Sequence, residues 1–209
     1  MKIHRSVSVI SATLAAATLI VACSSSGSSH SSMKDESAMT IPASADFNAT
    51  DVGFAQGMIP HHAQAVEMAD MALSTTTNAD VLALAKQIKS AQNPEIETMT
   101  GWLRSWGQKV PAMSSMSGGG HDMTDMSGMM MDGMMTEKDM DRLESSTGTE
   151  FDRLWLELMI QHHEGAVRMS DDEVKDGKNP EVKALAQTII KGQQAEITKM
   201  NSLLTALPN

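Results

Sequence analysis

The sequence lacks most of the residues by which a function is usually recognised. Its 209 residues include one cysteine, no tyrosine, three tryptophans and three phenylalanines. A single cysteine excludes an intrachain disulfide, a Cys-rich zinc site, an iron–sulfur cluster and the Cys-containing blue-copper site. With aromatics at 3%, a core must be built from Leu, Ile, Val, Ala and Met. Basic residues are also scarce, 16 against 26 acidic ones, for a formal charge of −10. Nucleic acid is therefore not an expected partner, because phosphate binding needs clustered Lys and Arg. No Ser-His-Asp frame or Gly-rich phosphate loop is readable, so a binding protein is expected and not an enzyme. What is abundant is methionine, with 20 residues.

The amino terminus reads as an address. Lys2, His4 and Arg5 precede an apolar stretch, Val7 to Val21, that is too short for a typical spanning helix. It closes with Ile20-Val21-Ala22-Cys23, which has the form of a bacterial lipobox. Residues 1–22 are thus expected to be a lipoprotein signal peptide, with Cys23 lipidated and the protein held on the outer face of a membrane. The Ser-rich residues 23–45 read as a flexible tether.

Most of the remainder is an internal duplication. Residues 51–103 align without a gap with 152–204 at an offset of 101, and 20 of the 53 pairs are identical. In each copy, residues at three- and four-residue steps share one helical face: Asp51, Phe54, Met58, His61, Ala65 and Met68, then Asp152, Trp155, Met159, His162, Ala166 and Met169. A second helix follows in each copy, with Asn78 and Asn179 as its caps and Pro180 well placed at its first position. The expected fold is all-α, a four-helix bundle made of two antiparallel hairpins, 46–106 and 136–206. The two hairpins are joined by a Met-rich loop at 107–135. Thr136 and Asp139 suggest a capping box for a short helix near 137–145.

The chemistry falls on the duplicated face. Histidine pairs recur at His61-His62 and His162-His163, with Met58 and Met159 one turn before them. Imidazole and thioether together suit a soft or borderline ion, Cu(I) best, with Cu(II) reachable through imidazoles and carboxylates. The alternative is that the duplication copied a packing face whose methionines are core fillers. Asp51 and Asp152 lie about ten residues before the histidines, roughly 15 Å along a helix. Shared ligation is therefore not expected of them; helix-start or outer-shell roles are. Glu95 with Met99, and Glu196 with Met200, recur on the partner helices and could complete a site. Pro60, where the other copy has Gln161, frees the Gln56 carbonyl and is expected to bend the helix beside the histidines. Nine methionines between Met113 and Met135, with His121 among them, could collect soft ions, or could form a low-complexity spacer.

The doubled Asp-x6-Met-Ile-x-His-His-x2-Ala-Val-x-Met pattern, together with Gly148-x2-Phe151-Asp152, resembles the family called domain of unknown function 305 (DUF305), over roughly residues 46–206. The resemblance implies a ferritin-like helical bundle, export, and copper binding outside the cytoplasm. Carried over, it points to Met58, His61, His62 and Met68, and to Met159, His162, His163 and Met169. The Glu-x-x-His of di-iron bundles is replaced here by Met58-x-x-His61 and Met159-x-x-His162, which favours a soft ion over iron chemistry. Two further readings stay open, a metal-dependent redox enzyme and a structural envelope lipoprotein. The sequence names no protein partner.

Overall fold

The computed structural model describes residues 41–111 and 132–208. The segment expected to be a signal peptide and most of the expected tether, with Cys23, lie outside the described residues, as do His121 and the methionines from Met113 to Met131. Among those described there are five helices and no strand: α1 (Ala49–Thr75), α2 (Ala79–Ser105), α3 (Glu137–Ser145), α4 (Gly148–Asp176) and α5 (Pro180–Ala206). No helix among them is long and apolar enough to cross a membrane.

Local chemistry sets the helix boundaries. Asn48 and Asp51 form a reciprocal capping box at the start of α1, and Thr136 and Asp139 form another at α3. Asn78 and Asn179 each accept two main-chain N–H groups at the starts of α2 and α5. Gly148, with φ of 60°, opens α4 after the break that follows α3. The helix α1 continues through Pro60, and Pro94 lies inside α2 next to Glu95.

Four long helices and the short α3, which starts at the capping box, pack unevenly. α1 packs on α2, α4 on α5, and α1 on α4, whereas α2 and α5 scarcely meet. The apolar interior falls into two clusters related by the duplication. One holds Met58, Ile59, Met99 and Leu103 from the first hairpin against Ala166, Val182, Ala186 and Ile189 from the second. The other holds Ala65, Met68, Leu84 and Ile88 against Trp155, Leu156, Met159 and Met200, with Met140 and Leu143 of α3 added. Trp155 Nε1 donates to the Met68 carbonyl at 2.8 Å, linking the hairpins. By sequence position the two histidine pairs fall between these clusters, at the midpoints of α1 and α4.

A buried carboxyl pair fastens one end. Asp51 accepts from the main-chain N–H groups of Asn48, Lys178 and Asn179, tying the start of α1 to the α4–α5 turn. Glu173 is fully buried beside it, and a Cβ at Gly177 would overlap the Glu173 carboxyl. Burial, then the neighbouring Asp51 carboxyl, push the Glu173 carboxyl up to about 8, opposed by Lys183. The folded chain therefore holds a proton that the unfolded chain has released between about pH 4.5 and 8, so this group's contribution to stability falls as pH rises through that window. Glu173→Gln conserves the size of the side chain and removes the ionisation. Its Tm relative to the parent should rise with pH, reaching a gain of a few degrees above about pH 8. Unfolding curves of both proteins across that range test this, and a Tm difference independent of pH would refute it.

Candidate metal centre

The four histidines are brought together at the middle of the molecule. All four are fully buried. His61 of α1 and His162 of α4 face each other across the hairpin interface, with ring centroids 3.8 Å apart and planes inclined by 41°. Each has its neighbour, His62 or His163, at 6.4 Å and 55°, the same geometry in both halves.

Each neighbour is held by the partner helix of its own hairpin. His62 Nε2 lies 2.7 Å from Glu95 Oε2, and His163 Nε2 lies 2.8 Å from Glu196 Oε2. Gln87 of α2 reaches across and donates to Glu196 Oε1 at 2.9 Å. His61 Nε2 meets the main-chain carbonyl of Asp132 at 3.2 Å. Carboxylate and carbonyl oxygens only accept, so in all three rings Nε2 carries the proton. In the neutral ring the lone pair is then on Nδ1. Those Nδ1 atoms of His61, His62 and His163 are buried without a partner, and neither nitrogen of His162 has one.

The centre also disfavours protonation. Burial, then the neighbouring imidazoles His62 and His163, push His61 down to about 3 against the pull of Asp132. Burial, then His61, His163 and His62, hold His162 well below the usual histidine range. A neutral imidazole is the form that binds a metal ion. An acceptor on the far nitrogen is the usual way a protein orients a histidine ligand. Orphaned, uncharged imidazole nitrogens are therefore a donor set that fits a metal ion. Among the described residues, however, no three His, Cys, Asp or Glu side chains converge as a metal site. The set fits an ion of low coordination number drawing on imidazole nitrogens.

The other candidates divide. Met58 and Met159 are fully buried one turn before His61 and His162, each at the edge of one apolar cluster. Met99 shares the cluster of Met58, and Met200 that of Met159. Glu95 and Glu196 meet the histidines as outer partners. Met68 is seven residues beyond His61, about 10 Å along the axis, and lies in the apolar core. Met169, at the matching place, is half-buried against the other cluster. Asp51 is occupied by the capping box and the α4–α5 turn, and Asp152 has one oxygen buried without a partner.

Sequence reasoning overlooked several residues. Gln92 and Gln193 are identical in the two copies, one turn before Glu95 and Glu196, and both are buried with neither amide atom paired. Their recurrence on an otherwise apolar stripe was a usable signal. Asp132, Gln64, Gly165 and Arg168, described below, gave none.

The fold has counterparts among known proteins. A match to the family described as Domain of unknown function (DUF305) covers residues 51–204. The crystal structure of a DUF305 fragment from Deinococcus radiodurans is 32% identical, with a TM-score of 0.65 over 77% of this chain and 99% of that one. CopM in its Cu(I)-bound form is 29% identical, with a TM-score of 0.61 over 78% of this chain and 100% of that one, and CopM is also known in Cu(II)-bound and Ag-bound forms. A curated relative, an uncharacterised protein of Acanthamoeba polyphaga mimivirus, is 47% identical over 53 residues, 25% of this chain and 35% of that protein. The chain thus spans about a third of the length of that relative. With the duplicated His-His frame and nearly all of both hairpins inside the matched span, the chain belongs to the DUF305 family.

Proposed function

We propose that the protein is an exported, lipid-anchored copper-binding protein that buffers copper or confers resistance to it, with Cu(I) as the favoured ion. The observation that carries this reading is the layer of four buried imidazoles. Burial and the neighbouring imidazoles hold His61 and His162 below the usual histidine range, three of the four rings are oriented through Nε2, and the rings of His61 and His162 face each other at 3.8 Å. Met58 and Met159 would add thioethers from one turn away, and soft donors select Cu(I). That CopM binds Cu(I), Cu(II) and silver supports the same assignment. Holding an ion is favoured over turnover because the histidines have no exposure through which a substrate could reach a bound metal. The four long helices would then serve as a ferritin-like bundle whose carboxylate ligands have been replaced by thioethers.

Three measurements check the reading. Met58→Leu with Met159→Leu conserves volume, so the fold should survive at a cost below about 1.5 kcal/mol per site. Cu(I) affinity, measured against a competing chelator, should fall at least about tenfold. A folded double mutant with the parent's Cu(I) affinity would show that these methionines only pack.

The paired glutamates give a second check. Glu95→Ala or Glu196→Ala leaves a buried imidazole N–H without its acceptor. Each should cost about 1–3 kcal/mol in chemical denaturation and about 10–100-fold in Cu(I) affinity. Unchanged affinity in both variants would remove the glutamates from the centre.

The anchor is tested separately. Cys23→Ser should release the protein from the membrane fraction, since stable attachment needs more than one acyl chain and a lipidated cysteine would carry them. Retention as firm as that of the parent would overturn lipidation.

A further inference from the structure

One short segment breaks the two-fold symmetry of the centre. Residues 132–136 run from the end of the interhairpin loop into α3, and they lie across both central helices. Gln64 of α1 donates to the Met135 carbonyl at 3.0 Å and accepts from the Met135 N–H at 2.8 Å, so its side chain pairs with both main-chain groups of one residue. Arg168 of α4 grips Asp132 with two guanidinium nitrogens, one of them at 2.8 Å from Oδ1. This fork holds the Asp132 carboxyl below its usual range. Gly133, with φ of 84°, and Gly165 of α4 meet backbone to backbone. A Cβ on Gly165 would overlap the Asp132 carbonyl, and one on Gly133 would come within 2.8 Å of the Gln161 carbonyl oxygen. Held this way, the Asp132 carbonyl is the acceptor for His61 Nε2.

The duplication shows that these contacts are specialised. At the offset of 101, Gln64 corresponds to Gly165 and Glu67 to Arg168. One copy supplies an amide that pairs with the strap, and the other supplies a bare backbone and a guanidinium. His61 gains an acceptor from the strap, whereas its counterpart His162 has no partner on either nitrogen.

We propose that the strap Asp132–Met135 is a structural part of the metal centre. It fixes His61 as a donor through Nδ1 and leaves His162 free to present either nitrogen, so the two halves of the centre are not equivalent. Gln64, Gly165 and Arg168 are positioning residues that act on His61 through the Asp132 carbonyl. The functional consequence rests on the copper-binding reading, but the arrangement of the imidazole proton does not.

Gly165→Ala is the test. It adds a single methyl group where the strap must lie, on a helix that alanine favours by about 1 kcal/mol over glycine. Long-range nitrogen–proton spectra of the imidazoles, recorded on metal-free protein, report which ring nitrogen of each histidine is protonated. The parent should show His61 only as the Nε2–H form, with a slowly exchanging proton. Gly165→Ala should lose that protected signal while the His62 and His163 signals stay, with helix content unchanged and Cu(I) affinity lowered about 10–100-fold. Should Gly165→Ala fail to fold, Arg168→Gln removes the fork at a half-exposed position and should weaken the same His61 signal, with partial recovery in Arg168→Lys. A His61 signal that survives in Arg168→Gln and in a folded Gly165→Ala overturns the proposal. Loss of the signal without any change in Cu(I) affinity leaves the strap in place as the partner of His61 but overturns its role in the metal centre. Absence of Cu(I) binding in the parent as well would instead refute the copper-binding reading.

Discussion

An unpaired buried N–H costs about 1–3 kcal/mol, a cost that His162 alone bears among the four histidines, so a neutral imidazole between two apolar clusters is held in place by an acceptor for its N–H. Three acceptors do this here, each from a different element: Glu95 on α2, Glu196 on α5, and the main chain at Asp132. The first two join residues separated by 33 positions in both halves, and so fix the register of each hairpin at its midpoint. A slip of one helical turn, about 5.4 Å, would leave the apolar faces in contact but strand both members of each pair. The histidine layer therefore acts on the whole fold. Apolar packing brings the helices together, and the polar pairs select one alignment among several that packing alone would accept.

Duplication accounts for the symmetric part of the centre, and the connection between the copies accounts for its asymmetry. Two copies of one hairpin packed face to face share an approximate two-fold axis, and residues near it, such as His61 and His162, meet their own counterparts. A single linker cannot obey that axis. It passes on one side, and whatever it touches there has no equivalent on the other. The exchanges at Gln64/Gly165 and Glu67/Arg168 sit where the strap passes. Others lie beside the first pair alone: Pro60 and Pro94 flank His62 and Glu95, where the second copy has Gln161 and Ala195. Asp51 likewise fastens the α4–α5 turn, whereas Asp152 is left with an unpaired oxygen.

Helices, caps and the hairpin repeat were legible because they follow from local periodicity and from side chains that bond a few residues away. The pairing of Glu95 with His62 was half legible: the repeat named the residues, and only the packing could show that they touch. Met68 and Met169 are named as ligands by the family resemblance; periodicity puts them on the histidine face, two turns beyond His61 and His162, and Met68 lies in the apolar core there. Gln92 and Gln193 were passed over because a glutamine among Ile and Met reads as the edge of a stripe. The strap was invisible because its working atom is a main-chain carbonyl, and Gly165 reads as an ordinary helical glycine until Asp132 is seen against it.

The charge balance of the layer bears on which ion it could accept. The four imidazoles and the nearby thioethers are neutral donors, so an ion bound among them brings its whole charge into a poorly solvated interior. The cost of moving a charge from water rises steeply with its size, and it is offset only by counter-charges and hydrogen bonds close at hand. Glu95 and Glu196 are carboxylates paired to the layer, and each is one ring removed from a donor nitrogen, against the far side of His62 or His163. In that place they can compensate an ion through the ring without ligating it. A monovalent ion is matched more easily by this arrangement than a divalent one, and Glu-x-x-His bundles answer the divalent case by placing carboxylates directly on the metal. The exchange of those carboxylates for Met58 and Met159 thus changes two properties together, the softness of the donors and the charge that the layer can hold. Under the proposed copper-binding function, both changes would favour Cu(I) over Cu(II).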